Sequence, residues 1–133
     1  METREIQEKI MQLVKVFNEV CKENDIEYTL AAGSVLGAVR HKGFIPWDSD
    51  MDVFVPLDKF ELLREKILDK INNTNMKLYM WDKEEKYYEV VDRLCFEGIA
   101  HEELHLDIFP LIGAPTGKIS RYLFTNTIYY TYR

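Results

Sequence analysis

Residues 28–56 read YTLAAGSVLGAVRHKGFIPWDSDMDVFVP, and the order of features along this stretch decides the fold. A strand-like run, Glu27 to Ala32, is interrupted by Gly33-Ser34, and Ser34 is placed to N-cap a short helix through Arg40. Gly43 and Pro46 make residues 41–49 a loop. Met51 to Val55 alternates with Asp50 and Asp52 and predicts a second strand, which Pro56 closes. Alternate residues of a strand share a face. Asp50 and Asp52 therefore project together, their Cα atoms roughly 6.6 Å apart at about 3.3 Å per residue. Met51, Val53 and Val55 form the opposite, apolar face.

That spacing matters chemically. Two carboxylates held together can converge on divalent cations, and magnesium prefers oxygen ligands. Two-metal phosphoryl-transfer sites hold their ions about 3.5–4 Å apart. An isolated Asp-x-Asp is more often a solvated strand start; the apolar backing of this one is what offers a rigid site. Gly33 lets the backbone approach a ligand closely, the helix start turns N–H groups toward an anion, and Ser34 adds a hydroxyl. A plain strand-to-helix turn remains the alternative for Gly33-Ser34 alone. Arg40 and Lys42 follow the short helix, and a guanidinium can clamp phosphate oxygens with a two-pronged fork; their alternative is surface charge. Trp47 is expected to pack the loop in preference to stacking on a base.

Working outward, Ile6, Ile10, Leu13, Val14, Phe17, Val20 and Cys21 recur at three- and four-residue steps, so a helix is expected from about residue 3 to residue 23. After Pro56, Asp58 and Glu61 have capping-box spacing, and Phe60, Leu63, Ile67 and Ile71 give the buried stripe of a third helix. The Asn72–Asn75 run is a turn. Met76 to Trp81, Val90 to Phe96 and Leu104 to Leu111 are expected to be strands, and Ile119 to Tyr132 the beginning of a helix. Strands and helices in this order predict an α+β domain, a mixed sheet with helices on one side.

The totals agree with one domain over residues 1–133 and exclude some functions. A net charge of −6 leaves too few cations to neutralise many phosphates, so a nucleic-acid partner is not expected; a nucleotide, offset locally by a metal ion, is compatible. No run nears the roughly 18 apolar residues of a membrane span, so membrane association would be peripheral. Cys21 and Cys95 read as small core residues in a reducing compartment. The charged start, Met1 to Glu5, running into a helix does not resemble a signal peptide, and the expected location is cytoplasmic.

Three further features carry chemistry. Asp107 lies among Leu106, Ile108 and Phe109, and a carboxylate there is costly to bury unless paired or metal-bound; exposure on a one-sided strand is the alternative. His101-Glu102-Glu103-Leu104-His105 matches the zinc-peptidase pattern, which works only on a helix. On a strand its histidines would lie about 13 Å apart, too far for one zinc. Trp81, Tyr87 and Tyr88 could cage a quaternary ammonium, with core packing preferred.

The run Leu36-Gly37-Ala38-Val39-Arg40-His41-Lys42-Gly43-Phe44-Ile45-Pro46-Trp47-Asp48, set between Gly33-Ser34 and Asp50-Met51-Asp52, closely resembles the LicD family of phosphotransferases, whose relatives include fukutin-related proteins. The resemblance covers about residues 26–56, and Leu106-Asp107-Ile108-Phe109-Pro110-Leu111 fits the same pattern. It implies a nucleotidyltransferase-like mixed sheet flanked by helices. It also implies transfer of a phospho-alcohol such as phosphocholine from a cytidine diphosphate (CDP) donor, for example CDP-choline, to a glycan or glycolipid hydroxyl. The implied metal is Mg2+ or Mn2+, held by Asp50, Asp52 and Asp107 as the catalytic carboxylates, with Gly33, Ser34, Arg40 and Lys42 on the donor phosphates. Asp107 would ligate metal or take the acceptor's proton. The family usually has three consecutive acidic residues after the tryptophan, whereas here Ser49 interrupts Asp48 and Asp50. Transfer of a nucleotidyl group to a small acceptor is the alternative for the same carboxylates. Members are usually longer, and an amphipathic pattern is still running at Thr131-Tyr132-Arg133, so a truncated C-terminus is expected.

Overall fold

The computed structural model describes residues 1–83, 90–113 and 116–123. The elements run α1 (Thr3–Glu23), β1 (Thr29–Leu30), α2 (Ala32–His41), β2 (Met51–Pro56), α3 (Phe60–Ile71), β3 (Met76–Tyr79), β4 (Asp92–Phe96) and β5 (His105–Leu111). The five strands form one sheet in the order β1-β2-β5-β4-β3. Only β2 and β5 are parallel; the other three pairs are antiparallel. The fold is α+β, as the periodicities predict.

Its core follows from the apolar stripes. Ile10, Leu13, Phe17 and Val20 of α1 and Phe60, Leu63 and Ile67 of α3 are buried against Val53 and Val55 of β2, Leu94 of β4, and Leu106 and Ile108 of β5. Each large aliphatic side chain so buried contributes about 1.5–3 kcal/mol, and period-2 alternation sends residues 52, 54, 107 and 109 to the other face. Phe17 also meets Tyr28 edge-on at 4.7 Å, and the Tyr28 hydroxyl donates to Asn18 Oδ1 at 3.0 Å, fixing the chain between α1 and β1.

Several local expectations are corrected. The first strand is Thr29–Leu30 alone, because helix α2 already begins at Ala32. Ser34 therefore lies inside the first turn, not at the N-cap, which is Ala31. The Asp58–Glu61 capping box does not form: Leu57–Lys59 is a 3-10 turn with no side-chain cap, and Glu61 accepts from Arg64 Nη1 instead. The three later strands are shorter than expected at one end each. Residues 118–123 are helical, and the remainder of the predicted terminal helix lies outside the described residues, as do Tyr87 and Tyr88.

Candidate functional site

The parallel pairing of β2 with β5 builds the site. Asp52 is level with Asp107, and Asp50 just precedes the first pair, Met51 with Leu106, where it feels the charges of His105 and Asp107. On the next strand Arg93 stands opposite Asp107. The sheet face away from the core thus carries Asp50, Asp52, His105, Asp107 and Arg93 together. Asp52 is 9% exposed and Asp107 is buried.

The two level carboxylates have opposite surroundings. Asp107 Oδ1 accepts from Arg93 Nε at 2.8 Å and lies 3.5 Å from His105 Nε2. Burial alone would push the Asp107 carboxyl up, but His105 and Arg93 outweigh it and hold the group below the ordinary carboxylate value. Among the described residues neither Asp50 nor Asp52 forms a salt bridge. Burial, then the negative charges of Asp50 and Asp107, push Asp52 up to about 6; burial, then Asp48, push Asp50 up as well.

Whether a metal suits these residues can be judged from the donors. Among the described residues no three His, Cys, Asp or Glu side chains are gathered into a ready-made cage. The donors nonetheless fit a hard divalent cation. They are carboxylate oxygens, Asp50 and Asp52 have no salt-bridge partner among the described residues, and magnesium is commonly held by one or two carboxylates with phosphates and water completing its shell.

Gly33 and Ser34 stand beside this row. Ser34 Oγ accepts the Asp52 N–H at 2.9 Å, which leaves its own O–H to donate elsewhere and ties α2 to β2. The Ser34 and Val35 amides are already bonded to the Ala31 carbonyl, at 3.1 and 3.4 Å. The anion cradle expected from the helix start is correspondingly smaller. A Cβ on Gly33 would sit 3.1 Å from Asp48 Oδ2, so glycine there admits that carboxylate. Ala32, just before it, has φ +46°, a conformation costing a non-glycine residue of order 1 kcal/mol.

A hollow of about 290 Å3 opens here, lined in part by Gly33, Ser34, Lys42, Asp48 and Asp50. Lys42 adopts φ +55° at the end of α2. Arg40 is exposed on α2 and does not line the hollow. Trp47, expected to pack, is 77% exposed, with only an edge contact to His41 at 6.4 Å.

Sequence reasoning missed three residues. Gln7 of α1 donates from Nε2 to Ile45 O at 3.2 Å and Asp48 O at 2.7 Å, pinning the loop that carries Asp48. Its place on the polar side of an amphipathic helix gave no signal. Arg93 lies within an apolar strand, and its facing of Asp107 depends on strand pairing, which the sequence does not show. His105 carries a sequence signal only as the last residue of the zinc-like motif. That motif does not form a helix: residues 101–104 turn and His105 begins β5, so the zinc reading fails. His105 Nε2 faces Asp107, and its buried Nδ1 has no hydrogen-bond partner among the described residues.

With this geometry in view, comparison with known proteins is informative. Residues 25–132 match the family described as LicD/FKTN/FKRP, nucleotidyltransferase domain. The lipopolysaccharide cholinephosphotransferase LicD of Haemophilus influenzae is 41% identical over 58 residues, 44% of this chain and 22% of that protein. Uncharacterised proteins of Rickettsia typhi and Rickettsia prowazekii are 32% and 30% identical over 95 and 101 residues, 71% and 75% of this chain. These matches span 29% and 36% of the two rickettsial proteins, so the chain aligns with about a quarter to a third of its curated relatives. The family match extends over most of the chain and takes in the Gly33-Ser34 turn, the Asp50/Asp52 pair and Asp107 alike; this chain belongs to the LicD/FKTN/FKRP nucleotidyltransferase-domain family.

Proposed function

We propose that this chain holds the donor and the metal in a transferase that moves a phospho-alcohol of the phosphocholine kind from a CDP-linked donor to a glycan hydroxyl at the cell surface. The observation that carries the proposal is the level pairing of Asp52 with Asp107 beside the Ser34 turn. Family membership and the name of the Haemophilus relative support the donor class.

In the reaction, the acceptor oxygen forms a bond to the phosphorus bearing the alcohol. The bond from that phosphorus to the bridging oxygen breaks, cytidine monophosphate leaves with the electron pair, and the acceptor's hydroxyl proton passes to solvent. Asp50 and Asp52 would hold magnesium or manganese, with Asp107 as third carboxylate. The bound ion supplies charge neutralisation at the diphosphate, the main demand of such transfers. Gly33, Ser34 and Lys42 border the hollow suited to donor phosphates; Arg40 would reach it only from outside. Of the two roles open to Asp107, ligation suits it better. Arg93 and His105 keep it ionised and make it a poor acceptor for a proton.

The test is calorimetric titration of CDP-choline with and without MgCl2, for wild type and Asp52→Ala. Binding that needs magnesium and weakens at least tenfold in the variant is expected. Equal binding by both proteins, or indifference to magnesium, would overturn the proposal. Pyrophosphate in place of cytidine monophosphate as product would redirect it to nucleotidyl transfer.

A further inference from the structure

Past the carboxylates, β2 and β5 continue along the same face to Phe54 and Phe109. These residues are level in the register, and their rings meet at 6.0 Å and 60°. With Trp81, Leu57, Pro110 and Ile112 among their neighbours, they line a hollow of about 350 Å3, distinct from the one at Gly33. That volume is at the lower end for small-molecule sites.

The wall chemistry restricts the occupant. Among the described residues, no charged or hydroxyl-bearing side chain lines the hollow, and the one polar side-chain atom they bring to it is the Trp81 indole nitrogen. A base or a polyol buried here would leave its donors and acceptors unmet. A methylated ammonium needs no hydrogen-bond partner and is attracted to aromatic faces. Trp81 is held in position: its backbone N–H donates to Asp92 Oδ1 at 3.2 Å, and Asp92 is locked to Arg64 at 2.6 and 2.9 Å.

Reach agrees with chemistry. Phe54 is two residues past Asp52, roughly 6.6 Å along the strand. The four bonds from phosphorus to nitrogen in a phospho-aminoalcohol span about 5 Å. A phosphorus at the carboxylates brings such a nitrogen to the mouth of the hollow.

We propose that this aromatic hollow seats the quaternary ammonium end of the transferred group, with Phe54, Phe109 and Trp81 selecting a methylated aminoalcohol over a polyol. The inference rests on the phosphocholine-type reading and adds to it the residues that set specificity. Of the three aromatics for which the sequence favours core packing over a cage, Trp81 lines this hollow, Tyr87 and Tyr88 lie outside the described residues, and Phe54 and Phe109 are additions that strand pairing supplies.

The experiment uses a Trp47→Phe background, so that Trp81 is the sole tryptophan reporter. Tetramethylammonium chloride is titrated without nucleotide, at ionic strength matched with NaCl. A saturable change in emission is expected, weakened about tenfold by Phe54→Leu or Phe109→Leu and retained by Phe109→Tyr, which keeps the ring. In a second arm, with MgCl2, Phe109→Leu should weaken CDP-choline about tenfold and leave CDP unchanged. A response that does not saturate, or is the same in the leucine variants, overturns the proposal. Equal loss of CDP and CDP-choline also overturns it, by giving the hollow to the base. Wild type that answers tetramethylammonium but binds neither nucleotide sinks the donor reading and leaves the ammonium seat. Wild type that binds CDP and CDP-choline alike, with no tetramethylammonium response, does the reverse.

Discussion

Asp52 and Asp107 face the same side of the sheet at the same level, and their neighbours drive them apart electrostatically. Asp107 has Arg93 and His105; Asp52 has burial and other carboxylates. The pH dependence follows with its sign. Asp52 is raised from 3.8 to about 6 in the fold, so between those values the folded chain holds a proton that the unfolded chain releases. Its contribution to stability is complete below the unfolded value and is lost as pH rises through about 6. Asp107 has the opposite sign, losing its contribution only as pH falls below the ordinary carboxylate range. In EDTA, Asp52→Asn should therefore gain melting temperature relative to wild type from pH 4.5 to 7.5. Magnesium added at pH 7.5 should raise the melting temperature of wild type and not of the variant. Melting curves that stay parallel across that range would count against this account.

Among the residues of α2 only Gly37 is buried, and the helix and the loop after it are held in part from outside. Residue 37 must be glycine for the chain to fold back here: a Cβ would sit 2.5 Å from the Gly43 carbonyl oxygen. A further restraint is Gln7, whose amide bridges two loop carbonyls from α1. Gln7→Ala should cost about 1–2 kcal/mol in urea denaturation, from two lost hydrogen bonds. It should also speed amide exchange at residues 45–48 without touching the exchange of α3. Gln7→Leu, which restores bulk but no donor, should behave like the alanine variant. Unchanged exchange in the loop would show that Gln7 does not restrain it.

At the scale of the molecule, one buried ion pair joins the helical layer to the sheet. Arg64 of α3 is 5% exposed and Asp92 of β4 is 1% exposed, and two hydrogen bonds join them. The paired carboxylate raises the Arg64 guanidinium further above its already high value, so it stays charged. Asp92→Ala would leave that charge buried without its main partner and should cost about 3–5 kcal/mol. The double variant Arg64→Met, Asp92→Leu should recover most of this, because an apolar pair avoids desolvation. Chemical denaturation of the single and double variants is the check, and a double variant no better than Asp92→Ala would contradict it. Arg64 also lies 3.0 Å from Asp82, beside Trp81, so the same pair steadies one wall of the aromatic hollow.

What the chain alone determined was periodic and local. The bounds of α1, the position of β2, and the shared face of Asp50 and Asp52 follow from steps of 3.6 and 2 residues, which neighbours in sequence enforce. The Gly33-Ser34 turn was legible as a break, though not its register, because Ser34 serves the Asp52 amide across the sheet and not its own helix. What only the tertiary structure decided was adjacency. Arg93 beside Asp107, Asp107 level with Asp52, and Phe54 against Phe109 all depend on strands far apart in sequence pairing in one order. A strand's alternation says which face a side chain takes, but not which strand will lie beside it. That choice rests on contacts between residues far apart in the chain, which local periodicity does not encode.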